Sequence, residues 1–242
     1  MRFFLYAATI TMSIVGCGGS NSSSNKKIHG VSRAFIGFQS GSTISFIGNK
    51  GENRWEKLTD RDFKIPANAK SFFLGDDKIG VLQKDNKFVK YRLTAPNYWE
   101  VSSQGQMTVS SEYEKVYMAA DLVAFKKGNT LEFIYERAPY LGRLEPSFTF
   151  TAPQGCKDFF PGGGEGVLVV FDDRVEFYHF TPNQKYELLD TYSIPKDAKQ
   201  IISLGGDFGF GVVSDEKIEM LATVRTPTFG HIRRLSLYVF PK

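Results

Sequence analysis

A period of 42 to 44 residues runs through most of this 242-residue chain. Four linkers align, each ending in a lysine: Ile65-Pro66-Ala67-Asn68-Ala69-Lys70, Val109 to Lys115, Ala152-Pro153-Gln154-Gly155-Cys156-Lys157 and Ile194-Pro195-Lys196-Asp197-Ala198-Lys199. A short apolar run follows each lysine, as in Phe72-Phe73-Leu74 and Val116-Tyr117-Met118, and glycines or small residues come next. A second run, such as Ile79 to Leu82 or Gly209 to Val213, leads through a polar turn into a third. Those turns are Asp85-Asn86-Lys87, Lys127-Gly128-Asn129, Asp172-Asp173-Arg174 and Asp215-Glu216-Lys217. A fourth run ends each unit, around Tyr98 to Val101, Gly142 to Leu144, Tyr186 to Leu189 and Arg234 to Phe240. Short apolar runs bounded by turn residues read as strands. Outside the first sixteen residues no segment keeps apolar residues at helical spacing over ten or more positions.

A shorter unit precedes these four. Ala34 to Phe38 matches the second run, Thr43 to Ile47 the third and Arg54 to Leu58 the fourth, so the innermost strand of this unit is missing. Repeats of about 40–50 residues built from short strands are the pattern of propeller blades. The body of the chain therefore resembles β-propellers, and in size it is similar to the five-bladed lectin-type ones. The expected fold is all-β, with five units of about four antiparallel strands at 28–64, 65–108, 109–151, 152–193 and 194–242, the first incomplete. An open sheet edge leaves backbone groups unpaired and templates association. The carboxyl-terminal strand, Leu235 to Phe240, is thus expected beside the first unit, closing the ring and burying Leu235, Leu237 and Val239. The resemblance is architectural: WD-repeat and kelch signatures are absent, so it transfers no functional residues.

The amino terminus carries a different signal. Arg2 is followed by a short apolar run from Phe3 to Val15, closed by Ile14-Val15-Gly16-Cys17. A bilayer span needs about 20 apolar residues; this run is shorter and is followed at once by Gly18-Gly19-Ser20, which suits a cleaved signal. The last four residues resemble the lipobox of bacterial lipoproteins. The resemblance implies that residues 1–16 are removed, that Cys17 becomes the acylated first residue, and that Gly18, in place of the retaining Asp, directs the protein to the outer rather than the inner membrane. Residues 17–27, centred on Ser20-Asn21-Ser22-Ser23-Ser24-Asn25, have nothing apolar to bury and read as a flexible tether reaching about 15–20 Å.

Composition narrows the function classes. Arg2 is the single charged residue before Cys17, so the mature chain carries 29 basic against 26 acidic residues. Such a mixed surface is not a nucleic-acid footprint. With Cys17 acylated, Cys156 has no partner for an internal disulfide and reads as a buried small apolar residue. His29, His179 and His231 lack metal-ligand spacing. Asp76-Asp77 and Asp172-Asp173 fall in turns, where carboxylates cap backbone groups. Gly162-Gly163-Gly164-Glu165-Gly166 lacks the Lys and Ser/Thr of a phosphate loop and reads as a turn between the first and second strands of a blade. No serine sits in a Gly-x-Ser-x-Gly elbow. Trp55, Trp99 and Tyr186 occupy the same place in their units, which suits packing between neighbouring blades.

These readings imply a non-enzymatic envelope lipoprotein without cofactor or metal, held to the membrane by its lipid and binding another envelope protein. In general design it is similar to the lipidated propeller subunit of barrel-assembly machineries. The alternative is a lectin-like propeller binding glycan repeats. A lectin is expected to repeat its aromatic and polar loop residues from blade to blade, whereas Ala95-Pro96-Asn97, Ala138-Pro139-Tyr140 and Arg225-Thr226-Pro227-Thr228 are dissimilar.

Overall fold

A computed structural model describes residues 27–31, 35–51, 54–74, 78–119, 122–135, 147–163, 166–181, 183, 185–204, 209–225 and 230–240. The signal segment, Cys17 and the tether up to residue 26 lie outside the described residues. The described residues form strands and turns and no helix.

Twenty strands build five antiparallel sheets of four, each a simple meander in chain order. The first sheet holds β1 (Lys27–Val31), β2 (Phe35–Ser40), β3 (Thr43–Asn49) and β4 (Trp55–Lys64). The second holds β5 (Ala69–Leu74), β6 (Lys78–Gln83), β7 (Lys87–Ala95) and β8 (Tyr98–Thr108). The third holds β9 (Lys115–Ala119), β10 (Leu122–Lys127), β11 (Thr130–Tyr135) and β12 (Phe148–Thr151). The fourth holds β13 (Asp158–Gly163), β14 (Gly166–Val170), β15 (Arg174–Phe180) and β16 (Tyr186–Ser193). The fifth holds β17 (Gln200–Ser203), β18 (Gly209–Val213), β19 (Lys217–Arg225) and β20 (Gly230–Val239). The first strands touch in a cycle, β1 against β5, β5 against β9, β9 against β13, β13 against β17 and β17 against β1. The five sheets are the blades of a closed β-propeller.

Position in the blade dictates composition. The second strands β14 and β18, with sequences GVLVV and GFGVV, are buried at every residue because blades cover both of their faces. Such strands read as continuous apolar runs instead of alternating ones. The outer strand β16 instead has half-buried and exposed positions and no buried one.

Two expectations are corrected. The first blade is complete: β1 pairs with β2, Lys27 opposite Gln39 and Val31 opposite Ile36. Its sequence KIHGV has little apolar content, and a register shift between Ile28 and Gly30 breaks its alternation, which hides it in the sequence. The carboxyl-terminal strand does lie beside the first blade, but it completes no sheet there. It is the outer strand of the fifth blade, paired along its length with β19. The seam between last and first blades is made of side chains: Ile36 packs with Ile202, Leu204, Val213, Ile218 and Met220, and Phe38, Ile47, Trp55, Tyr238 and Phe240 pack on this cluster. The residues that enter the seam are thus Tyr238, on β20, and Phe240, just beyond it, while Val239 is 58% exposed. In the third blade the strand pairing with β11 is Phe148–Thr151; Gly142 to Leu144 lie outside the described residues.

Candidate functional site

The two ends of the propeller differ. At the end where the inner strands begin, second and third strands are joined by the tight connections 41–42, 84–86, 128–129, 171–173 and 214–216, of two or three residues each. At the opposite end, third and fourth strands are joined by 50–54, 96–97, 136–147, 181–185 and 226–229, from two residues to twelve. Of the dissimilar loops noted in the sequence, Pro96-Asn97 joins β7 to β8 at this end, while 138–140 and 226–228 lie outside the described residues. Loops on a rigid scaffold are where proteins place binding residues.

A cavity of about 740 Å³ lies at the even end, lined by residues of all five blades. Gln39, Gly41 and Ser42 come from the first blade, Lys70 to Phe73 from the second, Glu114 to Tyr117 from the third, Asp158 and Phe160 from the fourth, and Gln200 to Ser203 from the fifth. Its lining mixes apolar side chains, Phe72, Phe73, Phe160 and Ile202, with polar ones, and Lys70, Lys115, Asp158 and Gln200, where the inner strands begin, form its rim.

Register explains that rim. The sequence alignment equates Lys70, Lys115, Lys157 and Lys199, but the hydrogen bonds pair differently. The N–H groups of Glu114, Lys157 and Lys199 donate to the carbonyls of Lys126, Val170 and Val213, so Lys115, Asp158 and Gln200 are the equivalent first residues of their strands. These three line the cavity, while Lys157 and Lys199 turn outward to the hairpin acids Asp172 and Asp215. The linker Val109 to Lys115 is one residue longer than its counterparts, which shifts the match by one.

Asp158 is the centre of the rim. Its Oδ1 accepts from Lys126 Nζ at 2.5 Å and from the Phe159 N–H at 2.9 Å, and its Oδ2 faces Lys115 Nζ at 3.7 Å. Lys126, only 8% exposed, also lies 3.9 Å above the Phe159 ring. A buried ammonium persists only when paired and hydrogen-bonded, so this cluster braces the third blade to the fourth. Lys70 does similar work between the second and third blades, its Nζ donating to the carbonyls of Tyr113 and Ser111. Burial, with the Asp158 charge adding to it, holds the Tyr117 hydroxyl well above its usual pKa. Burial likewise pushes the Cys156 thiol up; Cys156 is half-buried and packs against the main core. A thiol so placed is a poor nucleophile.

The interblade aromatics follow one rule. Trp99 Nε1 donates to the carbonyls of Arg61 (3.3 Å) and Asp62 (3.2 Å) on β4, and Trp55 Nε1 donates to the Leu237 carbonyl on β20. Each indole therefore grips the outer strand of the preceding blade. Tyr186 packs edge-on against Phe150 of β12 at 4.8 Å, in the same sense. Asn97 completes the first of these joints. At φ 55° it turns the β7–β8 hairpin, its Oδ1 accepts from the Asp62 N–H and its Nδ2 donates to the Thr59 carbonyl.

A second repeated feature escapes a reading of apolar runs. Glu132, Glu176 and Glu219 hold the same place in the third strands β11, β15 and β19, between two buried apolar residues each. Glu132 binds the Tyr113 hydroxyl and Lys127, Glu176 binds Arg174 and the Tyr178 hydroxyl, and Glu219 binds Arg234. The signal is present in the sequence as Leu-Glu-Phe, Val-Glu-Phe and Ile-Glu-Met. Gly163 pairs with Gly166 across the β13–β14 turn, where the glycine-rich stretch was expected to reverse the chain. His179 meets Phe177 edge-on. Among the described residues no three His, Cys, Asp or Glu side chains gather as a metal site.

No protein family and no curated protein matches the chain. Solved structures of similar fold do. Hsv2 of Kluyvelomyces marxianus matches with a TM-score of 0.44 and 14% identity over 90% of this chain and 74% of that one. A functionally unknown protein from Desulfotomaculum acetoxidans matches at 0.41 and 10% over 90% and 71%. BamB from Moraxella catarrhalis matches at 0.39 and 10% over 87% of this chain and 60% of that one.

Proposed function

We propose that this protein is a lipid-anchored envelope lipoprotein, acylated at Cys17, whose propeller is a non-enzymatic binding module for another envelope protein. The observation that supports the reading most is the contrast between its ends. One end carries five tight turns and four inter-blade linkers of four to six residues, while the third-to-fourth-strand connections at the other range from two residues to twelve, which makes the latter the more variable face. Unequal loops suit one shaped protein surface. A repeating glycan would be met more economically by equal loops from every blade.

The cavity serves the scaffold on this reading. Asp158 is engaged with Lys126 and Lys115, and Lys70 with the carbonyls of Tyr113 and Ser111.

Photocrosslinking in intact cells tests the proposal. A photoreactive residue at position 98, the exposed first residue of β8 at the uneven end, is expected to give a discrete adduct with one envelope protein, and a photoreactive residue at position 129 in a tight turn is not. Adducts of equal yield from both positions, or binding of purified protein to a glycan array in place of any protein adduct, would refute it.

A further inference from the structure

We propose that the even end of the propeller, with the cavity, faces the bilayer, and that the uneven loops point away from it. The inference rests on the lipid attachment at Cys17 and adds the direction of the molecule. Its carrier is the topology of β1. That strand begins at Lys27, opposite Gln39, and Gln39 lines the cavity beside Gly41 and Ser42. β1 runs in the same sense as β5, β9, β13 and β17, whose first residues Ala69, Lys115, Asp158 and Gln200 also line the cavity. The polypeptide that leads from Cys17 therefore enters the propeller on its innermost strand, at the cavity end.

Length then rules out the opposite orientation. Nine residues, 18–26, lie between Cys17 and Lys27, the first residue of β1, so the chain joins the two in ten steps. Fully extended, ten steps span at most about 33–36 Å. To bring the uneven end to the bilayer, the same residues would first cross outward over β2, β3 and β4, about 14 Å at the spacing of neighbouring strands. They would then run down the flank of the blade, along the ten residues of β4, about 33 Å at the rise of a strand. The two legs together exceed the extended limit. With the cavity end toward the bilayer, the chain needs to cover neither leg.

The even end suits the neighbourhood of headgroups. Its turns carry both signs of charge, Lys87 beside Asp85, Lys157 beside Asp172 and Lys199 beside Asp215, so no single-sign field opposes a zwitterionic surface. The exposed Tyr98 lies at the other end, and its ring stays clear of the lipid.

Depth-dependent quenching tests the orientation. The full chain, purified in detergent with Cys156→Ala, carries a fluorophore on either Asn129→Cys, in an even-end turn, or Asn183→Cys, in an uneven-end loop; both residues are exposed. The proteins are reconstituted into zwitterionic phosphatidylcholine–phosphatidylethanolamine vesicles containing headgroup-nitroxide lipid. Quenching at position 129 is expected to exceed that at 183 several-fold. Mass spectrometry of the Cys17 peptide separates the two claims. Acylated protein quenched equally at both sites, or more at 183, overturns the orientation alone. Protein lacking the acyl mass overturns the anchoring and the orientation together.

Discussion

Trp55, in the first blade, donates its indole N–H to the carbonyl of Leu237, in the last outer strand, at 3.1 Å across 182 residues of sequence. Tyr238, the next residue, meets the same indole edge-on with ring centroids 5.5 Å apart. No strand is shared between the first and last blades, so this joint and the apolar cluster around Ile36 hold the ring shut. Trp55→Phe keeps an aromatic ring and removes the hydrogen bond, worth about 1 kcal/mol. In a domain of this size the midpoint of thermal unfolding should fall by about 2–4 °C. Trp55→Ala should lower it further, and a melt unchanged by both substitutions would contradict the account of the seam.

Deleting 235–242 removes Tyr238 and Phe240 from the seam together with half of β20. Each large apolar side chain is worth about 1.5–3 kcal/mol when fully buried, against a total stability of about 5–15 kcal/mol. The truncated protein should aggregate or melt far below the intact one, by differential scanning fluorimetry. Deleting 18–26 should leave the melt in place, since nothing apolar is lost. Equal effects would show that the tail is peripheral.

Gly209 opens β18, where a Cβ would lie 1.9 Å from the Leu221 carbonyl oxygen. Backbone cannot give way as a side chain can. Gly209→Ala should therefore cost at least the about 1–3 kcal/mol typical of overpacking, measured by urea denaturation. Gly41, at φ +57° with open space around it, is the comparison; Gly41→Ala should cost less. The opposite ranking would contradict the close approach of β18 and β19.

Alkaline pH should loosen the fold. Burial, and then the hydrogen bond to Glu176, push the Tyr178 hydroxyl from its ordinary value near 10 up to about 12. The folded protein thus keeps the proton that the unfolded chain gives up first. Stability from this group is complete below pH 10 and is lost between about pH 10 and 12. Tyr113 shifts in the same direction through burial and its bond to Glu132. Melting temperature followed from pH 8 to 12 should fall above pH 10, less steeply in Tyr178→Phe. A parallel decline in both proteins would remove Tyr178 as a cause.

The period and the strand-turn pattern made the five blades legible, because turn residues and the burial of second strands on both faces are local signals. Register was legible only in part. In Leu235-Ser236-Leu237-Tyr238-Val239-Phe240 both alternating sets contain apolar side chains, and the aromatic pair Tyr238 and Phe240 takes the inner face. Choosing the other set reverses every side chain in the strand. The lysines closing the linkers looked equivalent for a similar reason: Lys115 stands one position further along its unit than Lys157 does, so its counterpart on the cavity rim is Asp158. β1 was hidden by its glycine and its register shift. The interblade role of Trp55, Trp99 and Tyr186 could be read because one position recurs with one chemistry. The cavity could not, since its lining is gathered from five blades and no short segment announces it.

Acyl labelling at Cys17 tests the account most directly. Cells expressing the full chain are fed an alkyne fatty acid, and the protein is captured, coupled to a fluorophore and compared with Cys17→Ser. Label on the natural protein, absent from Cys17→Ser together with its release from the membrane fraction or failure to be processed, is the predicted result. An unlabelled natural protein, or label that persists in Cys17→Ser, would contradict the lipid-anchored propeller.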